Sequence, residues 1–316
     1  MLRYIIRRIV MALPTLILAS LAIFLILRLI PGDPATIVAG SDATPAQVAA
    51  VRKDLGLDKP LVAQYAIWIG QVLRGNFGNS LIGKYPVWDQ IRHAYPATLE
   101  LTIAALLLAL LLAAPLGILA AMHPRSWLDR AISAFNAFAI GIPNFLLGIL
   151  LILIFSLNFA HLPVGGRVPI TQDPGAGIKT LLLPAVTLSV GIAAVLTRFI
   201  RSALLEVLSE DYIRTARAKG LPETAVIRRH ALRNALIPII TVLGIQVGRL
   251  LGGAVIVEAV FAWPGMGRLA VQAILTRDYT IVQAALLLLV TAFIVVNLIV
   301  DIAYGFLDPR VRVQTR

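Results

Sequence analysis

The sequence predicts an all-α fold, a polytopic membrane helix bundle with six transmembrane helices. Three observations carry this expectation. Hydrophobic residues make up 59% of the 316-residue chain and charged residues 14%, with a mean hydropathy of +0.88. A soluble domain of this length buries a large core without such a surplus, so the excess must face lipid. Six apolar stretches, at about 9–30, 98–121, 132–159, 181–201, 237–262 and 281–306, are long enough to cross ~30 Å of hydrocarbon at ~1.5 Å per residue. Most cations behind the net charge of +12 lie in short segments flanking these stretches, a pattern of membrane orientation and not of nucleic-acid binding.

Residues 1–30 read as an N-terminal cytoplasmic segment and the first span. The apolar core from Ile9 to Leu27 follows Arg3, Arg7 and Arg8 and lacks a small-residue cleavage site, so it reads as a retained helix and not a signal peptide. Residues 31–97 form a long outer segment. Thr44-Pro45 is a cap-plus-first-turn signal for a helix that Gly56 ends, and a second helix starting near Pro60 carries Tyr65, Trp68, Ile69 and Leu73. A small external cap is expected; the plainer reading is a solvated loop. Gly75-Asn-Phe-Gly78 reads as a turn, because it lacks the lysine of a phosphate-binding loop.

Residues 98–306 are expected to form a five-helix core, with 307–316 as a tail. Pro115 with Gly117, Gly141-Ile-Pro143 and Pro184 interrupt three spans, as hinges or as static kinks. Arg28 and Glu100 lie near span ends, where long side chains reach the interface. Arg249 and Glu258, in the fifth span, are roughly 13 Å apart along a helix and too distant to pair. Asn297 and Asp301 share one face of the sixth span, lining a polar path or bonding structurally to another helix. Gly244, Gly248 and Gly252 place small residues on one face of the fifth. They read either as a subunit interface or gate helix, or as static packing within the bundle.

Orientation follows from Lys and Arg in the connections. Arg3, Arg7, Arg8, Arg125, Arg130, the cluster from Arg214 to Arg233, and Arg310, Arg312 and Arg316 fall on one side. The two short loops on the other side hold Arg167 and Lys179, then Arg268 and Arg277. The bias favours both termini in the cytoplasm. The long 31–97 loop is mixed in charge and does not count.

Several activities are excluded or unsupported. There is no cysteine, so thiolate catalysis, disulfides and Cys-ligated metals are ruled out. His93, His123, His161 and His230 include no pair at helical ligand spacing. No G-x-x-x-x-G-K-[ST], H-E-x-x-H or G-x-S-x-G string occurs, and no paired intramembrane aspartates suggest a protease.

Between the fourth and fifth spans lies Asp211-Tyr-Ile-Arg-Thr-Ala-Arg-Ala-Lys-Gly220, continuing through Arg228-Arg-His-Ala-Leu-Arg-Asn234. Ile213, Ala216 and Gly220 form one stripe of a short helix, with Arg214, Arg217 and Lys219 off it. Gly220 suits the left-handed residue that stops a helix, and Pro222 the first turn of the next. Two short helices meeting at a glycine corner, spanning 202–236, make a compact cytosolic knob. The plainer reading is ordinary positive charge on an inside loop.

The order of these residues resembles the cytoplasmic loop of binding-protein-dependent ABC-transporter permeases in the dipeptide, oligopeptide and nickel branch. The resemblance rests on Asp211, Tyr212, Arg214, Thr215, Ala216, Arg217, Ala218, Lys219 and Gly220, then Arg229, His230, Leu232, Arg233, Asn234 and Pro238. Arg214 stands where the wider family has a glutamate, a departure usual in this branch. The likeness extends through Pro31-Gly32-Asp33-Pro34, Gly56-Leu57-Asp58, Phe261-Ala-Trp-Pro-Gly-Met-Gly-Arg268, Arg277-Asp278-Tyr279 and Leu307-Asp308-Pro309-Arg310.

The resemblance implies a type I ABC-importer permease fold in a bacterial inner (plasma) membrane. It implies a homologous permease as partner, two ATP-binding subunits and a solute-binding protein, with ATP and Mg on the partner subunits and no cofactor in this chain. The basic knob would be the coupling helix seated on an ATPase subunit. The expected cargo is di- or oligopeptides, or glutathione, an opine or a nickel chelate. A self-sufficient secondary transporter is the rival reading, although no repeat relates the first and last three spans. A membrane enzyme has no catalytic constellation to support it.

Overall fold

The computed structural model of the chain describes residues 2–29, 33–40, 42–159 and 161–307. The tail at 308–316 and the Pro31-Gly32 half of the first turn lie outside the described residues. Thirteen α-helices occur among the described residues: α1 (Leu2–Leu29), α2 (Pro34–Ala39), α3 (Pro45–Asp54), α4 (Leu61–Leu73), α5 (Val87–Met122), α6 (Trp127–Gly141), α7 (Asn144–Leu151), α8 (Pro174–Leu208), α9 (Asp211–Ala218), α10 (Glu223–Ala225), α11 (Leu232–Val260), α12 (Met266–Leu275) and α13 (Tyr279–Leu307). Ile152–Asn158 and Val226–Ala231 are π-helical continuations of α7 and α10. The β-structure described is one isolated bridge, Asn79 to Pro86.

Four helices are long and apolar enough to cross a membrane, or six if each of two bent pairs counts as one span. The third expected span is not a single rod. Trp127–Gly141 and Asn144–Asn158 meet at 101°. Ile142 there is extended, at φ −81° and ψ 126°, because the residue before a proline is pushed out of the α region. Pro115 and Pro184 lie inside α5 and α8 and break neither. The second and fourth spans run longer than expected, and α12 is a short apolar helix that hydropathy did not single out.

The chain divides into two compact units. One comprises Leu99–Trp263 with the chain ends up to Val10 and from Phe293. Its centre is α8, which packs on α6, α7 and α11. Lipid supplies no hydrophobic drive between helices, so close backbone approach must hold them together. A Cβ on Gly117 would lie 2.7 Å from Ile200 on α8, and one on Gly148 3.0 Å from the Phe261 ring. The loop after α7 docks on the end of α11, where the Gly166 N–H donates to the Phe261 carbonyl (2.9 Å) and Phe261 and Trp263 are buried.

The expected glycine face of the fifth span splits. Cβ atoms on Gly244 and Gly248 would meet Val300 at 2.7 Å and Phe293 at 2.4 Å, both on α13, whereas Gly252 has nothing within 4 Å. The first two are packing positions within this subunit. Glu100 does not reach out to the interface but pairs with Arg167 (Nε to Oε2, 2.8 Å), and Arg167 lies over the Trp263 ring. Asp301 takes a structural role: its carboxylate accepts from Arg8 (2.9 Å) and its carbonyl from Tyr4. Asn297 donates to the Phe293 carbonyl of its own helix.

The other unit comprises Met11–Thr98 and Pro264–Ala292. Its apolar core joins Val87, Ile91 and Ala94 of α5 to Met266, Ala270 and Ala273 of α12 and Ile281, Val282 and Ala285 of α13. Asp278 fixes a loop to this core, accepting from Ser80 Oγ and from the Leu81 and Ile281 N–H groups. The helix at Thr44 begins with a full capping box to Gln47, and Gly56 follows its end at φ +66°. Tyr65 and Trp68 of α4 pack on the buried Phe24 ring, and Tyr65 shares a hydrogen bond with Ser20 (2.8 Å). The 31–97 segment therefore carries helices, of which α4 packs on α1. Arg28 stacks over Phe24, 5.1 Å from the ring centroid.

Candidate functional site

The basic segment folds as a corner. After α8 ends at Leu208, Ser209 and Glu210 turn the chain and α9 begins. Ile213 and Ala216 face inward and are buried, while Asp211, Tyr212, Arg214, Thr215, Arg217 and Lys219 are exposed. Gly220 takes φ +76° and its N–H closes on the Arg217 carbonyl (2.9 Å). A Cβ at Gly220 would touch nothing within 4 Å. Glycine is therefore needed within this chain for its backbone conformation and not for space.

The second limb differs from the two-short-helix expectation. Beyond Pro222, α10 passes through the π-helical Val226–Ala231 directly into α11. Glu223–Leu236 and Pro238–Leu250 meet at 52°. Pro238 has no N–H, so the Asn234 carbonyl loses its helical partner there. The corner is thus continuous with a membrane span on both sides: α8 enters it and α11 leaves it.

Two side-chain bridges cross the corner. Arg217 grips Glu223 with both arms of its guanidinium, Nε to Oε2 at 3.1 Å and Nη2 to Oε1 at 2.6 Å. The carboxylate holds the Arg217 pKa above its ordinary value, chiefly through that hydrogen bond. Both side chains are nearly half exposed, so the pair contributes no more than about 1 kcal/mol. Asn234 Nδ2 donates to Tyr212 Oη at 2.8 Å and to the His230 carbonyl at 3.2 Å. Val226, Ile227, Ala231 and Ala235 form the buried face of the second limb. Arg229, Arg233 and Asn234 are exposed; the side chain of Arg228 is outside the described residues.

Of the residues expected at the knob, the structure joins Tyr212 to Asn234 and leaves Arg229 and Arg233 without an ion pair among the described residues. Arg214 meets Asp211 in a long, exposed contact of 3.3 Å. Two features were missed by sequence reasoning. Glu223 belongs to the site, and its signal was an acidic residue in the first turn after Pro222. Asp129, 4% exposed, receives Arg201 in a bidentate bridge (2.6 and 2.8 Å) and the Arg125 N–H (2.9 Å). That bridge ties α8, about two turns before its end at Leu208, to the start of α6. Its sequence signal was a lone acid between Arg125 and Arg130.

Residues 113–313 match the family described as binding-protein-dependent transport system inner membrane component, and residues 1–102 match its N-terminal region. The chain belongs to this family. It is the inner-membrane permease subunit of an ABC importer, so the self-sufficient transporter and membrane-enzyme readings fall. The permease is 43% identical over 312 residues to the glutathione transport system permease protein GsiC of Salmonella choleraesuis (strain SC-B67), covering 99% of both chains. Identity to GsiC of Escherichia coli (strain K12) is 42% over the same length and coverage. The permease also resembles a chain of the MetNI methionine ABC transporter solved in inward-facing conformations. That likeness has a TM-score of 0.57 at 22% identity, over 68% of this chain and 94% of the other. It shows the fold, and it agrees with the expected type I permease architecture.

Proposed function

We propose that this permease passes a short peptide of the glutathione class through the inner membrane, and that the 211–234 corner couples this passage to ATP hydrolysis in a partner. The observation that carries the cargo is the 43% identity to GsiC along nearly the whole of both chains. Among the expected cargoes, which were di- or oligopeptides, glutathione, an opine or a nickel chelate, that identity favours glutathione. The coupling role is supported by the braced corner between α8 and α11, with an exposed basic outer face.

On this reading the N- and C-termini are cytoplasmic, and a homologous permease completes the pathway. Two ATP-binding subunits carry ATP and Mg, and an external binding protein delivers the solute. ATP-driven closure of the ATPase pair moves the corner, and the free energy transmitted equals the difference in its docking between the two states.

The test is ATP-dependent uptake of radiolabelled glutathione by the complete complex in proteoliposomes, with tri-alanine as competitor. Glutathione uptake that tri-alanine inhibits is expected. A complex whose ATPase responds to its binding protein, yet which moves no glutathione, would overturn the cargo. Arg229→Glu with Arg233→Glu tests the coupling. Membrane insertion is expected to persist while uptake and co-purification of the ATP-binding subunits are lost. Uptake at the wild-type rate would remove the corner from the coupling path.

A further inference from the structure

The break in the third expected span opens onto a cavity of about 170 Å³. Its wall is apolar, with Ile142, Leu188 and Ile192 among its residues, and three polar side chains converge on it: Asn144, Gln246 and Arg249. Among the described residues none of the three has a side-chain hydrogen bond or ion pair. Gln246 is 2% exposed, so its amide is buried with no partner except what enters the cavity. That amide reaches the cavity, where a polar solute can satisfy it. Gln246 and Arg249 are one turn apart on α11 and share a face.

Asn144 reaches the cavity from the first turn of α7, whose N-cap Pro143 supplies no side-chain bond to the free N–H groups. Its amide lies between two glycine backbones. Cβ atoms on Gly191 and Gly253 would each approach it to 3.6 Å. Arg249 is exposed on this chain and lies in the membrane-spanning part of α11, where a guanidinium with no counter-charge is costly. Glu258 is nine residues along the same helix and too far to neutralise it. An arginine fork, two amide groups and a helix N-terminus suit a planar anion.

We propose that Arg249, Gln246 and Asn144 form a carboxylate-binding subsite in this subunit, taking a carboxylate of the peptide cargo as it passes. The proposal rests on the cargo reading above for the identity of the anion. Arg249 supplies the charge and the bidentate grip, Gln246 donates beside it, and Asn144 closes the site from the broken helix.

The chain's lack of cysteine provides the test. Val195 lines the cavity and leaves the three polar groups intact when replaced. Val195→Cys in the complete complex is treated with anionic and cationic methanethiosulfonates, and labelling is read on this chain by mass spectrometry. The anionic reagent is expected to react at least about tenfold faster, and Arg249→Gln to bring the ratio near one. Sodium acetate and S-methylglutathione, which has no thiol to consume the reagent, are expected to protect the introduced thiol. Arg249→Lys keeps the charge preference and loses most of the acetate protection, since lysine lacks the fork.

A ratio that ignores Arg249→Gln, or a thiol that neither anion protects, would overturn the subsite even where glutathione uptake persists. Protection by acetate with no glutathione uptake would keep the subsite and remove the cargo. Labelling repeated with and without phosphatidylglycerol separates a lipid phosphate from a solute. A site blocked only in anionic lipid, and not cleared by acetate, belongs to lipid and refutes the proposal. Co-purification of the partner subunits shows that each variant is assembled.

Discussion

A graded substitution at Gly220 separates two reasons for a glycine at the corner proposed to couple transport to ATP hydrolysis. The residue takes φ +76° and a Cβ would have no neighbour within 4 Å in this chain. The cost of a side chain is therefore the left-handed backbone alone, about 1–2 kcal/mol for an ordinary L-residue and less for asparagine. A β-branched residue is worse still at positive φ. If that strain lowers the population of the docking-competent corner, Ala is expected to reduce uptake about five- to thirtyfold, since ~1.4 kcal/mol is a factor of ten. Asn is expected to stay within about twofold of glycine, and Val to fall below Ala.

The assay is solute taken up per ATP hydrolysed in proteoliposomes holding the complete complex, with assembly checked by co-purification. The order Gly, Asn, Ala, Val supports a conformational requirement. An Asn variant as impaired as Val refutes it, because the side chain itself would then be the fault. Since nothing in this chain crowds that Cβ, the clash would lie on the partner's surface. A wild-type ratio for Val would show that the corner's sharpness is irrelevant to coupling.

Three further outcomes are expected. Asp129→Asn removes the carboxylate that Arg201 grips and, because Arg201 is 29% exposed and can be hydrated, lowers complex stability by about 1–2 kcal/mol, read as a fall in Tm; Asp129→Asn with Arg201→Gln costs less than the sum of the two, and strict additivity would show that the bridge carries no coupling. Gly248→Ala forces the Phe293 ring aside and costs about 1–3 kcal/mol, whereas Gly252→Leu leaves the isolated subunit's thermal unfolding unchanged; if Gly252→Leu instead abolishes co-purification of the sister permease, its face is the subunit interface. Pro238→Ala restores the N–H missing at the bend and relieves a penalty of up to about 3 kcal/mol against a straight helix. Uptake per ATP is expected to drop while assembly persists, and an unchanged ratio would exclude the bend as a working part.

Local features were legible in the sequence, and contacts between distant residues were not. The capping box at Thr44, the stop at Gly56 and the corner at Gly220 depend on residues within a few positions, so their chemistry was readable. Proline was half legible. Pro115, Pro143 and Pro184 look alike in sequence, yet Ile142 leaves the helical region before Pro143 while the residues before the other two stay helical. Whether a helix accepts a proline depends on what packs at the freed carbonyls, and that is set by other helices. The Arg201–Asp129 and Arg167–Glu100 bridges join residues 72 and 67 positions apart, beyond any periodicity. The glycine run showed a face but not where that face's partner ends, which is why Gly252 stands apart from Gly244 and Gly248.

The two limbs of the corner are mechanically unequal, and this bears on which span would feel the ATPase first. α8 is an unbroken helix of 35 residues, roughly 52 Å long, and the Asp129 bridge stiffens its lower part against α6. The route into α11 is softer. It passes a π-helical turn, whose hydrogen bonds have a different register, and then the Pro238 bend. Yet Asn234, whose carbonyl that proline frees, is the residue whose side chain holds Tyr212 on α9. The weak joint is thus tied directly to the helix that would be pushed. A displacement of α9 would pass through the Asn234 contact to the bend. Arg249 and Gln246 lie three and two turns beyond the bend on α11, so a change of angle at Pro238 would move them relative to Asn144 at the break of the third span. On this argument the cavity's three polar groups part or converge with the state of the corner, which would let the permease release an anion it had gripped.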